Sequence, residues 1–484
     1  MSLSASLANA LSGLTASARA ASVVSSNVSN ALTEGYARRE LNLSPQSVGG
    51  TGAGVRIDSV TRVVDRALLT DRRLAGAETG NARLKSGFLD RIETLTGTPE
   101  DAGSLSQRIA QLEAALIQAS SRPDSQPRLQ AVADAANGLA GHLNTLSDAV
   151  QQERMDADAG IAAQVRTLNE TLVQIDRLNA EIVAQTASGH DATALMDQRQ
   201  SLVDRVAGIV PVREVARDHD QISLYTTGGA ILLEGDPVVV GFSPAGMITP
   251  DMTIGSGALS GFTINGRAVP SGDGGVLGGG TLGALVAIRD DLAPAAQTQL
   301  DAVARDLVER FESPAVDPTL TPGQPGLFTD RGAPFDPLIE GGLAGRIALS
   351  ALVDPAAGGQ LWRLRDGLGA AAPGNVGDAT LLNALGAALS AAKPPASGSF
   401  VGAARSASGL AADLLSGFSG ARQQAEALES YSAARHDALK EMQLAQGVDT
   451  DAEMQTLLMV EQAYSANARV IKTIDELIQQ LIGL

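Results

Sequence analysis

The stretch "LSASLANALSGLTASARAASVVSSNVSNALTEGYARRE", residues 3–40, sets the reading of the chain. Apolar and small residues recur in it at Leu3, Leu7, Ala10, Leu14, Ser17, Ala21, Val24, Val28 and Ala31. The steps alternate between four and three, the 3.5-residue period of a coiled-coil seam. Gly35 then offers a stop, because glycine enters the left-handed conformation without a steric penalty. A helix of this kind runs roughly 45 Å at about 1.5 Å per residue. The small residues Ala10, Ser17, Ala21 and Ala31 let a partner helix approach closely.

The partner stands more than 400 residues away. "GVDTDAEMQTLLMVEQAYSANARVIKTIDELIQQLIGL", residues 447–484, repeats the period at Leu457, Val460, Tyr464, Asn467, Ile471, Ile474, Ile478 and Leu481. A lone polar residue on such a seam, here Asn467, fixes register at a cost in stability. Two ordinary amphipathic helices lying on a globular core would show the same pattern.

Between these ends the chain is helical, then extended, then helical again. "LSQRIAQLEAALIQASS", "IAAQVRTLNETLVQIDRLNAEIVAQ" and "LMDQRQSLVDRVAGIV" each place apolar residues on one face, with a break at Ser121–Pro127. From Pro211 the chain turns β-branched, and "INGR" at Ile264–Arg267 is a hairpin signal. A glycine tract at Ser271–Gly280 closes this stretch, and helix returns beyond it. The segments near 43–59 and 443–450 read as two strands of one connector between the terminal helices and the rest. The expected fold is mainly α with an inserted β domain. Residues 1–42 plus 445–484 form a terminal coiled-coil assembly domain, and 43–210 plus 281–444 an elongated helical bundle. Residues 211–280 form a small β domain at the tip.

Composition excludes several function classes. The 484-residue chain carries a net charge of −18, the wrong sign for nucleic acid or an anionic membrane as the main partner. It has no cysteine, which removes disulfides, thiolate metal sites and thiol catalysis. The N-terminus lacks a basic segment followed by a continuous apolar run, so export, if it occurs, uses a route other than the Sec signal. No apolar run reaches the ~18 residues that span a bilayer.

The four histidines, His142, His190, His219 and His436, fall in no metal-binding spacing. "GGTGAG" at Gly49–Gly54 lacks the spacing and context of a nucleotide loop and reads as a flexible connector. Asp449, Asp451 and Glu453 begin like a calcium loop but lack its later ligands, and fit better as an acidic first turn of the last helix. No catalytic, cofactor-binding or metal site is expected, and no enzymatic activity.

The ends carry a family resemblance. Asn27, Asn30, Gly35 and Tyr36 match the N-terminal pattern of flagellar rod, hook and hook-associated axial proteins, with a departure from the commoner Asn-Thr-x-Gly-Tyr form at Leu32–Glu34. Tyr464, Ala466, Asn467, Ala468, Arg469, Val470 and Ile471 resemble the matching C-terminal pattern. "GYARRE", "ALMDQRQSLVDRV" (Ala194–Val206) and Gly279–Phe311 are most similar to the branch of that family that joins hook to filament. The resemblance implies a structural, self-assembling protein of the bacterial flagellum, outside the cell, exported by the flagellar type III apparatus.

Its implied partners are further copies of itself, the hook protein, the next hook-associated protein with flagellin beyond it, and an export chaperone on the C-terminal helix. The assembly surface it implies comprises Leu3, Leu7, Ala10, Leu14, Ala21, Val24, Asn27, Val28, Asn30, Gly35, Tyr36, Arg38 and Arg39. From the last helix it takes Leu457, Val460, Tyr464, Asn467, Arg469, Ile471, Ile474, Ile478 and Leu481. Arg38 and Arg39 are expected to meet acidic surfaces on neighbours, or else to be solvated while Tyr36 packs on the chain's own last helix. The ends are expected to fray in the free monomer and order on assembly. A hook or rod subunit of the same family is the nearer alternative, with a secreted coiled-coil adhesin or sensor further off. An enzyme with its site in the insert is a third class, and no hydrolase motif is visible there.

Overall fold

The computed structural model describes residues 3–483 apart from Glu34, Gly49, Gly50, Asp273 and Val401. Helix α1 (Leu3–Ser29) leads into a long hairpin of β1 (Arg39–Val48) and β2 (Thr51–Arg62). Four helices follow: α2 (Arg66–Thr96), α3 (Leu105–Ser121), α4 (Gln126–Ala187) and α5 (Thr193–Ile209). The strands β3 (Val212–Ala216), β4 (Ile222–Thr226), β5 (Ile231–Glu234) and β6 (Asp236–Pro237) form one antiparallel sheet in that order. A second sheet holds β7 (Val240–Gly241), β8 (Phe262–Ile264) and β9 (Arg267–Val269).

Helix α6 (Gly280–Ala287) runs through a π-helical turn at Ile288–Leu292 into α7 (Ala293–Phe311). The strands β10 (Phe328–Asp330) and β11 (Ile347–Leu349) pair with each other. Three short or long helices, α8 (Arg363–Asp366), α9 (Thr380–Ser390) and α10 (Ala407–Ala445), precede α11 (Thr450–Ile482). The protein is therefore mainly α with small antiparallel sheets.

The chain divides into two compact units. The first comprises Met1–Thr79, Arg166–Val239 and Tyr431–Leu484; the second, Gly80–Val165 and Val240–Ser430. The second unit has one apolar core drawn from both halves of the chain. Phe88 and Ile92 of α2, Ile109 and Leu112 of α3 and Leu139 and Leu143 of α4 meet Leu307 and Phe311 of α7, Leu389 of α9 and Leu410 of α10. Phe311 meets Phe328 edge-on with ring centres 5.5 Å apart. These are the apolar faces whose 3.6-residue spacing is visible in the sequence.

The stretch expected as one inserted β domain, 211–280, supplies strands to two separate sheets, one in each unit. The cause is visible in α4. Asn179 donates to the Ile222 carbonyl at 3.0 Å and so holds the first sheet. Further back on the same helix, Arg154 donates to the Thr249 and Met252 carbonyls and Asp158 accepts from the Ala245 amide, holding the loop between β7 and β8. Asp158 also takes the buried Arg289 guanidinium at 2.7 Å, in the π-helical turn. The hairpin read from "INGR" is present, with Asn265 and Gly266 both at positive φ between β8 and β9.

The connector expected from 43–59 and 443–450 is not formed. Residues 39–62 pair with themselves as β1–β2, while 443–450 finish α10 and cap α11. The flexible connector expected at Gly49–Gly54 lies partly outside the described residues, but Thr51–Gly54 belong to β2. There Gly54 is at φ +95 and a Cβ on it would overlap the Ser12 hydroxyl, so the hairpin lies directly on α1.

Candidate assembly surface

Within the first unit α1 packs along α11 in the opposite sense. Gly13 meets Asn467, and Arg38, beyond the end of α1, meets Glu453 in the first turn of α11. A Cβ on Gly13 would stand 2.8 Å from the Asn467 amide, so glycine is what lets the helices close on that polar residue. On its other side α1 carries the hairpin: the Val55 amide donates to the Ser12 hydroxyl at 3.1 Å. Asp449 caps α11 by accepting from the Asp451 and Ala452 amides, as the acidic first turn implies.

The expected seam residues are unevenly covered. Ala10, Val24, Asn27 and Ile474 are buried; Leu7, Tyr464, Arg469 and Leu481 are exposed. Leu3, Leu14, Ala21, Val28, Asn30, Gly35, Tyr36, Arg38, Arg39, Leu457, Val460, Asn467, Ile471 and Ile478 are half-buried. One monomer thus closes the seam only in part.

The segment after α1 is locked by Asn27. Its amide donates to the Arg39 carbonyl at 3.0 Å, and its carbonyl accepts from the Arg39 amide at 2.9 Å and the Tyr36 hydroxyl at 2.8 Å. Buried at 1 % exposure, it takes both backbone groups of Arg39, the first residue of β1. The helix itself ends at Ser29, and Gly35 takes its left-handed conformation, φ +82, at the turn beyond. Asn30 donates back to the Ser26 carbonyl.

The two arginines find their acids within the chain. Arg38 donates to Glu453 at 3.0 Å and to Glu40 at 2.7 Å, and the bond to Glu453 does most to raise its pKa. Arg39 lies over the Tyr36 ring and pairs with Asp197 at 3.0 Å. Asp197 also accepts from Arg62 at 2.7 Å. Within the monomer the arginines are paired with acids rather than solvated, and the Tyr36 hydroxyl is tied to α1.

Sequence reasoning read Glu453 only as part of an acidic first turn, and missed Gly13, Asp197, Gln200 and Asp204. The last three stand at intervals of three and four on one face of α5, inside "ALMDQRQSLVDRV". Gln200 accepts from Arg62, and Asp204 from Arg72 and Arg73. A polar face at helical spacing, opposite arginines at 39, 62, 72 and 73, was the available signal.

The outer face of α11 is uncovered. Met459, Ala463, Ala466, Val470, Thr473, Leu477 and Gln480 are all exposed, and their steps alternate four and three. They form a second heptad stripe beside the one that faces α1, with Met459 at 62 %, Val470 at 46 % and Leu477 at 43 % exposure. Among the described residues no group of acids and histidines is arranged to hold a metal, and no helix is long and apolar enough to cross a membrane.

Comparison with known proteins fits this architecture. Residues 89–316 match the flagellar hook-associated protein FlgK helical domain, and residues 442–484 match the flagellar basal body rod FlgEFG protein C-terminal family. Flagellar hook-associated protein 1 of Salmonella typhimurium is 27 % identical over 242 residues, covering 48 % of this chain and 43 % of that protein. The Bacillus subtilis protein of the same name is 25 % identical over 240 residues, covering 47 % of each chain. The match therefore spans less than half the length of these relatives. The flagellar hook junction protein FlgK from Burkholderia pseudomallei aligns with a TM-score of 0.44 and 19 % identity, over 54 % of this chain and 46 % of that one. By these matches the chain is similar to the flagellar hook-associated proteins over its helical middle and to the rod and hook axial proteins over its last helix.

Proposed function

We propose that this chain is the structural subunit that joins the flagellar hook to the filament, assembling with further copies of itself through α1 and α11. The observation that carries the reading is the second heptad stripe on α11. A helix with one covered and one open seam is built to pack between two neighbours, and the open one has no partner within the monomer. Covering Met459, Val470 and Leu477 contributes about 1.5–3 kcal/mol for each side chain fully buried. Repeated around a ring, that is ample to hold a layer of subunits.

In this reading the hook protein lies on one side of the layer, and the next hook-associated protein and flagellin on the other. The protein works outside the cell as a mechanical adaptor rather than an enzyme, reached through the flagellar type III apparatus. An export chaperone masks the α11 stripes before secretion, because an exposed apolar seam aggregates. The ends, weakly covered in the monomer, gain their full order on assembly.

The test is the double variant Val470→Asp with Leu477→Asp. Both sites are exposed, so circular dichroism and monomer melting stay as in the wild type. Sedimentation of the concentrated protein loses the assembled species, and cells carrying the variant keep their hooks but shed filaments. Normal assembly by this variant refutes the reading.

A further inference from the structure

The geometry points to an anion-binding cleft in the first unit that receives carboxylate side chains from a second copy of the chain. A cavity of about 810 Å³ lies among β2, α2, α5 and the loop before β4. Six arginines line it: Arg19, Arg62, Arg66, Arg73, Arg199 and Arg217. In a chain of net charge −18 these arginines outnumber the four acids on the same wall, Asp58, Asp191, Glu214 and Asp220.

The acids on the same wall do not use up these donors. Asp58 is engaged by Ser44 and Arg56, Asp191 by Arg19 and Thr193, and Glu214 by Arg73. Asp220 offers Arg199 its backbone carbonyl. Arg199, buried to 7 % exposure, makes no ion pair among the described residues; it donates only to that carbonyl and to the Asn179 side chain at 2.7 Å. Arg73, buried to 5 %, pairs with Asp204 and Glu214, yet its Nη2 is buried with no acceptor. A buried guanidinium without its anion is costly, and a carboxylate entering the cavity removes that cost. Burial, with Arg62 and Arg66 nearby, holds Arg199 down to about 10.

The occupant follows from charge. The chain carries 54 acidic against 36 basic side chains, so a second copy presents carboxylates in excess. Such carboxylates on a neighbouring copy complement the arginine cleft, and this inference rests on the self-assembly reading above.

The test uses hexaglutamate as the probe on the full chain at low salt, with inorganic phosphate as a second arm. Arg66→Glu is the informative variant: Arg66 is exposed and opens α2, where an acid is favoured. The wild type binds hexaglutamate, Arg66→Glu weakens it at least tenfold, and the same variant makes self-association less sensitive to salt. Failure to bind hexaglutamate, equal binding by the variant, or binding of phosphate alone overturns the proposal. The Val470→Asp, Leu477→Asp protein separates the two readings, since it loses assembly while retaining the probe.

Discussion

Removing the Asn27 side chain opens the Gly-Tyr segment, and the structure sets the size of the effect. Asn27→Ala deletes three hydrogen bonds in one buried position: two with the Arg39 backbone and one with the Tyr36 hydroxyl. Each such bond contributes about 1 kcal/mol net, and a buried donor or acceptor left without a partner costs about 1–3 kcal/mol. Some of the freed groups rehydrate, so the segment loses roughly 2–4 kcal/mol against local opening. Tyr36→Phe deletes the 2.8 Å bond to Asn27 and a long 3.4 Å contact with the Ser26 hydroxyl but leaves Asn27 held by the Arg39 amide, so it costs nearer 1 kcal/mol.

The assay is native-state trypsin digestion, because Arg38 and Arg39 lie in the segment that opens. When opening and closing are fast, the cleavage rate follows the open population. At about 1.4 kcal/mol per factor of ten, Asn27→Ala speeds release of the fragment beginning at Glu40 by about 30-fold or more. Tyr36→Phe speeds it by about fivefold, and the double variant adds little to Asn27→Ala because the two share one bond. Cleavage of Asn27→Ala within about twofold of wild type refutes the claim that this asparagine is the lock.

Three further outcomes are expected. Gly54→Ala strains a residue at φ +95 and drives a methyl into Ser12, so amide exchange across β2 rises by at least tenfold while the second unit is unaffected. Asp158→Ala removes one of the two carboxylates on the buried Arg289, leaving Asp290, and frees the Ala245 amide, which costs about 1–3 kcal/mol and lowers the melting temperature of the second unit. Asp158→Asn, retaining an acceptor, restores part of it. The third concerns pH. Burial raises the Glu309 pKa, but the bonds from Lys393 and Arg305 outweigh it and leave the folded-state value depressed. The folded state therefore holds fewer protons than the unfolded one, and the contribution present above the ordinary glutamate range is lost as pH falls through the folded value. Melting temperatures of wild type and Glu309→Gln measured from pH 6 to pH 3 should converge as the pH drops, and a constant gap contradicts the assignment.

How much of this was legible depends on whether a contact is periodic. The seams of α1 and α11 and the core faces of α3 and α7 repeat at helical spacing, so they are written along the chain. The hairpin at Asn265–Gly266 is readable for a related reason, since only a few residues accept positive φ. The β1–β2 hairpin was misread because its turn lies in a glycine run that looks like a linker, while its function is close approach: Gly54 meets Ser12. The split of 211–280 between two sheets was hidden because Asn179, Arg154 and Asp158, which divide it, sit on a helix far upstream. A single polar side chain that reaches across the fold leaves no period to detect.

The same distinction explains why the two arginines after Tyr36 were assigned outward. An arginine pair in a short loop carries no local hint of its acceptor, and an acidic chain offers many. The acceptors turn out to be Glu453, 415 residues away, and Asp197, on α5. With Arg38 on α11, Arg39 on α5 and Asn27 on α1, the turn becomes a junction of three helices within one molecule. That leaves the apolar stripe, not the charged turn, as the part of α11 with nothing to face. On the proposed reading a neighbour packs where the monomer leaves apolar surface open, along Met459, Val470 and Leu477. Charge reversal at Arg38 and Arg39 therefore acts first on the monomer: Arg38→Glu places an acid against the buried Glu453 and loosens the start of α11 before any assembly is measured. Hydrogen exchange at residues 450–456 in dilute protein separates the two views, because a purely intermolecular role for Arg38 predicts no change there.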